Sequence, residues 1–367
     1  MRTWTTILCG LLAFAAISPQ IQADPNSFPE ELVLVVNPTT AGNTYWPEVH
    51  SVMDIVATDL DIGIEFLEFD VSDRFSAVTS TLRRLREDPI PDAAVFTMEF
   101  SQLIPVIDLA EAQNIPFALN GPFSEDQLRT LGNVPGRKYT QWVRLFEEDE
   151  QTKGYLLAQQ LIQAANAAEP DSGMVSIVGI NGARSWVGSM HREAGLRQAV
   201  NDHPNARVLQ MVYADWTARE GRRMARRLLR RYPDVSAIWA GSDQLSIGVA
   251  QAISETSDPA KQVFTGGLDL SRAGLDALSR GKLIATTAAT ELMWAQLVID
   301  MHDFIRVPTA ADSFEDYQLA DPIIATASNV AQVLEFQERQ KAIQFRDFSR
   351  HYNGGKKVRL SSLLDGF

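Results

Sequence analysis

The chain has 367 residues, of which 45% are hydrophobic and 22% are charged, and its formal net charge is −13. This length suggests two domains, and the composition is that of a globular protein. The acidic balance argues against general nucleic-acid binding, because phosphate backbones attract basic surfaces.

The first residues predict a secretory signal peptide. Arg2 gives a positive start, residues 7–17 (ILCGLLAFAAI) form an apolar core, and Ala23 is a small residue suited to cleavage. The apolar core is too short to span a bilayer. Cys9, the only cysteine, lies inside this segment, so the mature chain would have no disulfide and no thiolate metal site. We therefore expect residues 1–23 to be removed on export.

Short apolar runs alternate with helical patterns from Leu32 to Asn120. The alternation predicts βαβ units and a parallel sheet with right-handed crossovers, complete by about Asn120. The expected strands are 32–36, 62–69, 93–97 and 115–119, and the expected helices are 49–60, 75–85 and 103–112.

A polar loop at 121–137, rich in Gly and Pro, interrupts this rhythm and predicts a domain connection. A second series of strands then follows, at 139–146, 174–180, 208–212, 235–240, 262–267 and 283–288. Two α/β lobes in tandem predict a hinged clamp that holds a ligand between the carboxyl ends of its two sheets. After Val307 the pattern is less regular, and we expect this tail to cross back over the hinge.

The fold class expected is therefore α/β, with two Rossmann-like lobes whose parallel sheets are joined by a hinge. The expected first lobe comprises residues 27–122 plus about 290–320, and the second comprises 123–289 plus about 321–330. Residues 331–367 would form a carboxyl-terminal helix and tail.

Enzyme signatures are scarce. The five histidines are scattered, and no H-E-x-x-H motif, G-x-S-x-G elbow or P-loop occurs. The acidic run 147–150 is typical of a solvated helix start. We expect no catalytic residue, metal site or cofactor. Two carboxylates brought together from separate lobes, however, could not be recognised from the sequence. The arginine-rich segment 219–231 is typical of an amphipathic surface helix, and docking of an acidic partner is the alternative.

Polar residues follow several strands of the second series. Ser242 and Asp243 come directly after the run that ends at Ala240, and Asp269 follows the next strand in the same way. Carboxylates at these strand ends would face a ligand, but Ser242 or Asp243 could instead cap the following helix. Arg192 lies one turn before Gly195, where its guanidinium could contact vicinal oxygens or form a surface salt bridge.

The first series offers a similar set. Asn43, Tyr45 and Trp46 stand at the entrance to the first helix, where an aromatic ring could lie on a sugar and amides could hold hydroxyls. The alternative is that Trp46 packs under that helix. Asn120 ends the strand 115–119, where a turn residue is equally expected.

Three segments carry a resemblance to a known family: REAGLRQAV at 192–200, YPDVSAIWAGSDQLSIGVAQAI at 232–253 and GGLDLSRAGLDALSRGKLIAT at 266–286. In order and spacing they resemble type I periplasmic binding proteins, the sugar-binding group that includes ribose-binding proteins and the autoinducer 2 receptor. The resemblance covers roughly residues 32–327.

The resemblance implies ligand contacts for Arg192, for Asp243 with Ser242 beside it, and for Asp269. In the first lobe it implies contacts for Asn43, Trp46 and Asn120. Leu268 stands where the family has a stacking aromatic residue. Ala289 replaces the second arginine of the autoinducer receptor, so a neutral sugar or polyol is favoured over a borate diester.

The function expected is that of a periplasmic, non-enzymatic solute-binding protein that closes on a small polyhydroxylated ligand by hinge motion. Its partner would be an ABC-type membrane permease or a membrane sensor kinase or cyclase, and not nucleic acid. The alternative from another class is a secreted carbohydrate-processing enzyme that uses cleft carboxylates as acid and base.

Overall fold

The computed structural model describes residues 30–39, 44–70, 73, 75–169, 173–256, 261–307, 318–356 and 358–364. The expected signal peptide at 1–23 lies outside the described residues. No helix within the described ranges is long and apolar enough to cross a bilayer.

The first half of the chain alternates strictly between strands and helices. Its elements are β1 (Leu32–Thr39), α1 (Tyr45–Leu60), β2 (Gly63–Asp70), α2 (Ser76–Arg84), β3 (Ala93–Phe96), α3 (Phe100–Ala112), β4 (Phe117–Asn120), α4 (Glu125–Leu131) and β5 (Trp142–Glu148). β1 and β3 are apolar on both faces because helices cover both sides of the sheet, which explains their uninterrupted runs of Val, Leu and Ala.

The second half repeats the alternation. Its elements are α5 (Glu150–Ala168), β6 (Val175–Asn181), α6 (Val187–Asp202), β7 (Ala206–Tyr213), α7 (Ala218–Arg231), β8 (Ala237–Ala240), α8 (Asp243–Thr256), β9 (Phe264–Leu268), α9 (Arg272–Ser279), β10 (Ala285–Ala288), α10 (Leu292–Arg306), β11 (Gln318–Ala320), β12 (Ile323–Thr326) and α11 (Val330–Gln340).

Within the described residues these strands form two separate sheets. The first has the order β11-β5-β4-β3-β1-β2, and the second has the order β12-β10-β9-β8-β6-β7. All pairings in the first sheet are parallel, and in the second only the edge strand β12 runs antiparallel, against β10. The expected architecture of two α/β lobes with mostly parallel sheets is confirmed.

The chain passes from the first sheet to the second after β5, and not at the expected boundary between residues 122 and 123. β5 pairs with β4 over Phe117–Asn120 and so belongs to the first sheet, not to the second series. The Pro and Gly residues of 121–137 surround the short helix α4 inside the first lobe rather than connecting two lobes. The chain therefore crosses after β5, returns after β10 and crosses again between β11 and β12.

The carboxyl-terminal segment joins both lobes. α11 packs against α9 of the second lobe, and Gln337 Nε2 donates to the carbonyl of Leu270 at 2.9 Å. Farther along, Phe345 and Leu360 are buried in the core that α1 and α10 build in the first lobe. Tyr352 Oη donates to the carbonyl of Leu60 at 2.8 Å. The tail thus bridges the two lobes.

Candidate functional site

Arg192 is the most heavily constrained polar residue between the two sheets. It lies on α6 and is only 6% exposed. Its Nε donates to Glu150 Oε2 at 2.6 Å and its Nη2 to Glu150 Oε1 at 3.2 Å, which is a two-pronged ion pair. Its Nη1 donates to the carbonyl of Gly241 at 2.6 Å and lies 3.6 Å from Asp269 Oδ1. The arginine is therefore buried and paired, and it is not a surface salt bridge.

Two tryptophans flank this guanidinium. The Arg192 Cζ lies 4.9 Å from the ring centroid of Trp186 and 5.6 Å from that of Trp216. The two rings meet edge to face at 5.8 Å. A Cβ at Gly182 would collide with the Trp216 ring, so glycine is required for this close approach. Neither tryptophan was predicted from the sequence, because neither ends a strand; only their position in the loops after β6 and β7 could have indicated them.

The helices that hold the arginine touch backbone to backbone. A Cβ at Gly154 on α5 would collide with the carbonyl of Arg192, and a Cβ at Gly195 on α6 would collide with the carbonyl of Gln151. This contact fixes Glu150, at the start of α5, beside Arg192 on α6.

The acidic run 147–150, expected to be solvated, lies inside the protein. Glu147 and Glu150 are buried, and Lys153 is 1% exposed. Lys153 Nζ lies 2.7 Å from Glu148 Oε2 and 2.9 Å from Glu150 Oε2. Burial acts against ionisation of Glu150, but Arg192 and Lys153 hold its pKa below the ordinary value. These charges lie where the chain crosses from β5 to α5, and the run correctly predicted only the helix start.

Asp269 faces the same guanidinium from the loop after β9. Its φ of 127° and the φ of 50° at Leu270 place two consecutive residues in the left-handed region, which non-glycine residues rarely adopt. Burial raises the pKa of Asp269; Arg192 opposes this shift, while the nearby Asp243 adds to it. The strained turn places the carboxyl group beside Arg192, and the ligand contact expected for Asp269 stays a prediction.

Asp243 has a different environment. It is 0% exposed, and its Oδ2 accepts from Ser271 N at 2.9 Å and from Ser271 Oγ at 2.8 Å. Burial raises the pKa of Asp243 as well. These bonds support the loop that carries Asp269. Asp243 Oδ1 is buried without a hydrogen-bond partner among the described residues, and the ligand contact expected for Asp243 stays a prediction.

Ser242 shows the capping role that the sequence left open. Its Oγ accepts from Leu245 N at 3.2 Å, at the amino-terminal turn of α8. Ser242 is buried, and this bond provides its hydroxyl oxygen with a hydrogen-bond donor. The structure therefore shows the cap, and a ligand contact of Ser242 stays a prediction.

Tyr45 and Trp46, at the start of α1 in the first lobe, have different surroundings. Tyr45 is half-buried at the start of α1 and its Oη accepts from Trp294 Nε1 at 3.0 Å. Burial, and then the charge of Glu148, raise the pKa of Tyr45 well above its ordinary value. Trp46 is 9% exposed and packs in the core against Trp294, with ring centroids 5.2 Å apart. The packing alternative thus holds for Trp46, and Asn43 lies outside the described residues.

Asn120, at the end of β4, lines a small pocket that both lobes enclose. The first lobe supplies Glu99 and Phe123, and the second supplies Ser185 and Trp186. Ser185 Oγ donates to Glu99 Oε1 at 2.8 Å across the boundary. The expected placement of Asn120 between the lobes is therefore consistent with the structure.

Two further hydrogen bonds join the lobes across the cleft. Gln244 Nε2 donates to Thr44 Oγ1 at 3.1 Å, and Arg272 N donates to Glu48 Oε2 at 3.0 Å. With the bond between Ser185 and Glu99, they show that the structure is a closed arrangement of the two lobes.

Carboxylates dominate the electrostatics of this cleft. Burial raises the pKa of Glu291 to about 7, and the charges of Glu48 and Glu148 add to the shift. Together with Asp269, these acids face Arg192 and Lys153, both of which already pair with Glu150. The closed cleft is thus rich in hydrogen-bond acceptors and poor in uncommitted positive charge.

Comparison with known proteins matches residues 34–303 to the family model described as "Periplasmic binding protein domain". A D-apiose import binding protein of Paraburkholderia graminis is 23% identical over 39% of this chain, and that match spans 45% of the relative's own length. The ribose import binding protein of Bacillus subtilis is 20% identical over 82% of this chain and 90% of the relative. The crystal structure of a periplasmic sugar-binding protein from Pseudomonas fluorescens has a TM-score of 0.76 and 22% identity, covering 89% of this chain and 96% of that one.

Proposed function

Because this chain belongs to the periplasmic binding protein family, we propose that it binds a small neutral sugar or polyol in the cleft between its lobes. The observation that carries the proposal is the buried Arg192, held by Glu150 and flanked by two tryptophans beside Asp269. Aromatic rings that border charged, hydrogen-bonding groups suit a molecule with apolar ring faces and polar edges.

The charge of the cleft supports a neutral ligand. The carboxyl groups of Glu48, Glu148, Asp269 and Glu291 would form hydrogen bonds with hydroxyls. An anionic ligand would find no uncommitted counter-charge among the cations beside them, because Arg192 and Lys153 already pair with Glu150. The same argument disfavours a borate diester. The names of the relatives, which include apiose and ribose binding proteins, agree with this choice of ligand class.

We propose that ligand capture works by hinge motion about the three crossing segments, those after β5, after β10 and between β11 and β12. Each lobe would be a rigid body, and the residues 1–23 would be a cleaved signal peptide. The partner would be an ABC-type permease, in keeping with the word "import" in the names of both relatives; a sensor kinase or cyclase is the second choice.

Calorimetry with pentoses, hexoses, polyols, sugar acids and autoinducer 2 tests the ligand class. We expect a neutral sugar to bind and its acid counterpart to bind at least tenfold more weakly. Asp269→Ala removes one hydrogen-bonding carboxyl group from the cleft and should lower the affinity by about 10- to 100-fold. Asp234→Ala is the matched control, since Asp234 is an exposed carboxylate of the same lobe, away from the cleft.

Two results would contradict the proposal. If Asp269→Ala and Asp234→Ala bind as tightly as the wild type, the assignment of this cleft fails. If a bound sugar is converted to product under saturating conditions, the chain is a carbohydrate-processing enzyme instead. Uptake of labelled ligand by cells that lack the gene would separate transport from sensing, because only a transport role predicts loss of uptake.

A further inference from the structure

Helix α7 presents a continuous arginine face to solvent. Gly221, Ala225 and Leu228 form its buried face, which packs against α8. At 100° per residue, the arginines occupy about half of the circumference, opposite those three residues. The face, called here the arginine face, consists of seven exposed residues: Arg219, Arg222, Arg223, Arg226, Arg227, Arg230 and Arg231.

The arginine face is only partly neutralised. Arg223 pairs with Glu220 on the same helix, and Arg222 pairs with Glu255 on α8. In the part of the chain that the structure describes, no ion pair involves Arg219, Arg226 or Arg230. These three, separated by seven and four positions, lie within a narrow stripe at the centre of the face.

The arginine face is at odds with the charge of the molecule. The chain carries a net charge of −13, yet seven positive charges lie on this one helix. None of the seven belongs to the cleft, so ligand binding does not explain them. Like charges at such spacing repel one another on a bare helix, and an anionic partner would relieve this repulsion.

The shape of the face indicates what kind of anion it suits. A helix of 14 residues is about 21 Å long, and the arginines are spread along all of it rather than around a groove. Guanidinium groups form two-pronged hydrogen bonds with phosphate. A row of such groups without a pocket matches a flat, repeating array of phosphates better than it matches a single acidic side chain.

We propose that α7 docks the second lobe onto the anionic phospholipid surface of a membrane. The family to which the chain belongs is periplasmic, where the bilayer that holds a permease is within reach. Each arginine near an anionic bilayer increases the partition coefficient by about fivefold. The contact is electrostatic and would be reversible, because α7 exposes no large apolar side chain that could insert.

Vesicle sedimentation with the full-length mature protein tests the proposal. The vesicles are equal parts phosphatidylglycerol and phosphatidylcholine, with pure phosphatidylcholine as the neutral reference. We expect binding to the anionic vesicles alone, and its loss at high salt as screening shortens the reach of the charges. The triple variant Arg219→Gln/Arg226→Gln/Arg230→Gln should bind about a hundredfold more weakly.

Two companion variants make the result specific. Arg83→Gln/Arg86→Gln/Arg129→Gln removes the same charge from exposed positions of the first lobe and should bind like the wild type. Arg219→Lys/Arg226→Lys/Arg230→Lys keeps the charge and should retain most of the binding. Thermal melting checks that each variant is folded.

Three outcomes would overturn the proposal. Failure of the wild type to bind anionic vesicles at low salt would mean that the arginine face contacts an acidic protein or solvent alone. An equal loss of binding in the two triple Arg→Gln variants would show that net charge, and not the arginine face, causes the binding. Equal binding of the wild type and of Arg219→Gln/Arg226→Gln/Arg230→Gln would show that the contact lies elsewhere on the molecule.

Discussion

The turns after β8 and β9 are alike in sequence and different in the structure. Each places an aspartate just past a buried strand of the same sheet, and Asp243 and Asp269 are close enough for Asp269 Oδ2 to accept from Asp243 N at 3.4 Å. Asp269 turns toward Arg192 on a strained backbone, whereas Asp243 turns inward to Ser271. Position at a strand end therefore brings both carboxyl groups to the same region, but the backbone conformation of each turn decides which groups the carboxyl pairs with.

Replacing Asp243 should have the largest effect on stability. Asp243→Ala removes the acceptor of Ser271 N and Oγ inside the protein, so we expect the free energy of unfolding to fall by about 3 kcal/mol. Asp243→Asn keeps one oxygen acceptor and should cost about 1 kcal/mol. Urea denaturation measures both. A stable Asp243→Ala protein that has lost only ligand affinity would reverse the roles assigned to the two aspartates.

Gly274→Ala should disturb the Asp243 carboxyl group from the side of α9. A Cβ at Gly274 would overlap the carboxyl group of Asp243, which is fixed by Ser271. We expect a loss of about 2 kcal/mol from overpacking, seen as a lower midpoint of urea denaturation. The control is Ser279→Ala, on the exposed side of α9. Gly281→Ala would not serve, because Gly281 has a positive φ. Equal midpoints for the two variants would show that the carboxyl group moves freely.

The pH dependence of stability should separate Asp269 from ordinary surface acids. Its carboxyl keeps a proton to higher pH in the folded state than in the unfolded chain, so its own contribution to the free energy of unfolding is greatest below the ordinary carboxyl pKa and is lost as pH rises through the raised one. One such proton contributes up to about 1.4 kcal/mol per pH unit. Asp269→Asn should flatten this decline in thermal melts taken across the acidic to mildly basic range, while Asp234→Asn should leave it unchanged.

Ser242→Ala should give the smallest effect. Loss of the cap on α8 should lower the free energy of unfolding by about 1 kcal/mol and leave sugar affinity within twofold of the wild type. Thermal denaturation and calorimetry on the same preparation measure the two quantities. A tenfold loss of affinity with unchanged stability would restore Ser242 as a ligand contact.

The fold could be predicted because hydrophobic periodicity is a local property. The apolar runs of β1, β3 and β8 mark strands buried on both faces, and their alternation with helices left a doubly wound lobe as the natural arrangement. The lobe boundary could not be found in this way. Whether β5 pairs with β4 or with β6 depends on contacts between distant segments, and a Gly-rich and Pro-rich loop looks the same inside a lobe as between lobes.

The candidate site was only partly accessible for the same reason. Asp269 directly follows a strand and Arg192 lies on the helix after one, so both could be singled out from the sequence, and a resemblance to a family supported both choices. Trp186 and Trp216 reach the guanidinium from loops, and Glu150 reaches it from a charge run that resembles a solvated helix start. Burial of a charged run becomes visible only when the opposite charge, here supplied by Arg192 and Lys153, is placed beside it.

The backbone contact between α5 and α6 has a kinetic and entropic consequence. Since Gly154 and Gly195 leave no room for the helices to slide, the ion pair of Glu150 and Arg192 is held in one geometry before any ligand arrives. Little rotational freedom of these side chains remains to be lost on capture, which favours a long residence time for a ligand that fits and gives little adaptability toward one that does not. If the cleft binds a sugar as proposed, widening its range of ligands would require changes in the helix contact itself, and not only in the side chains that border the cleft.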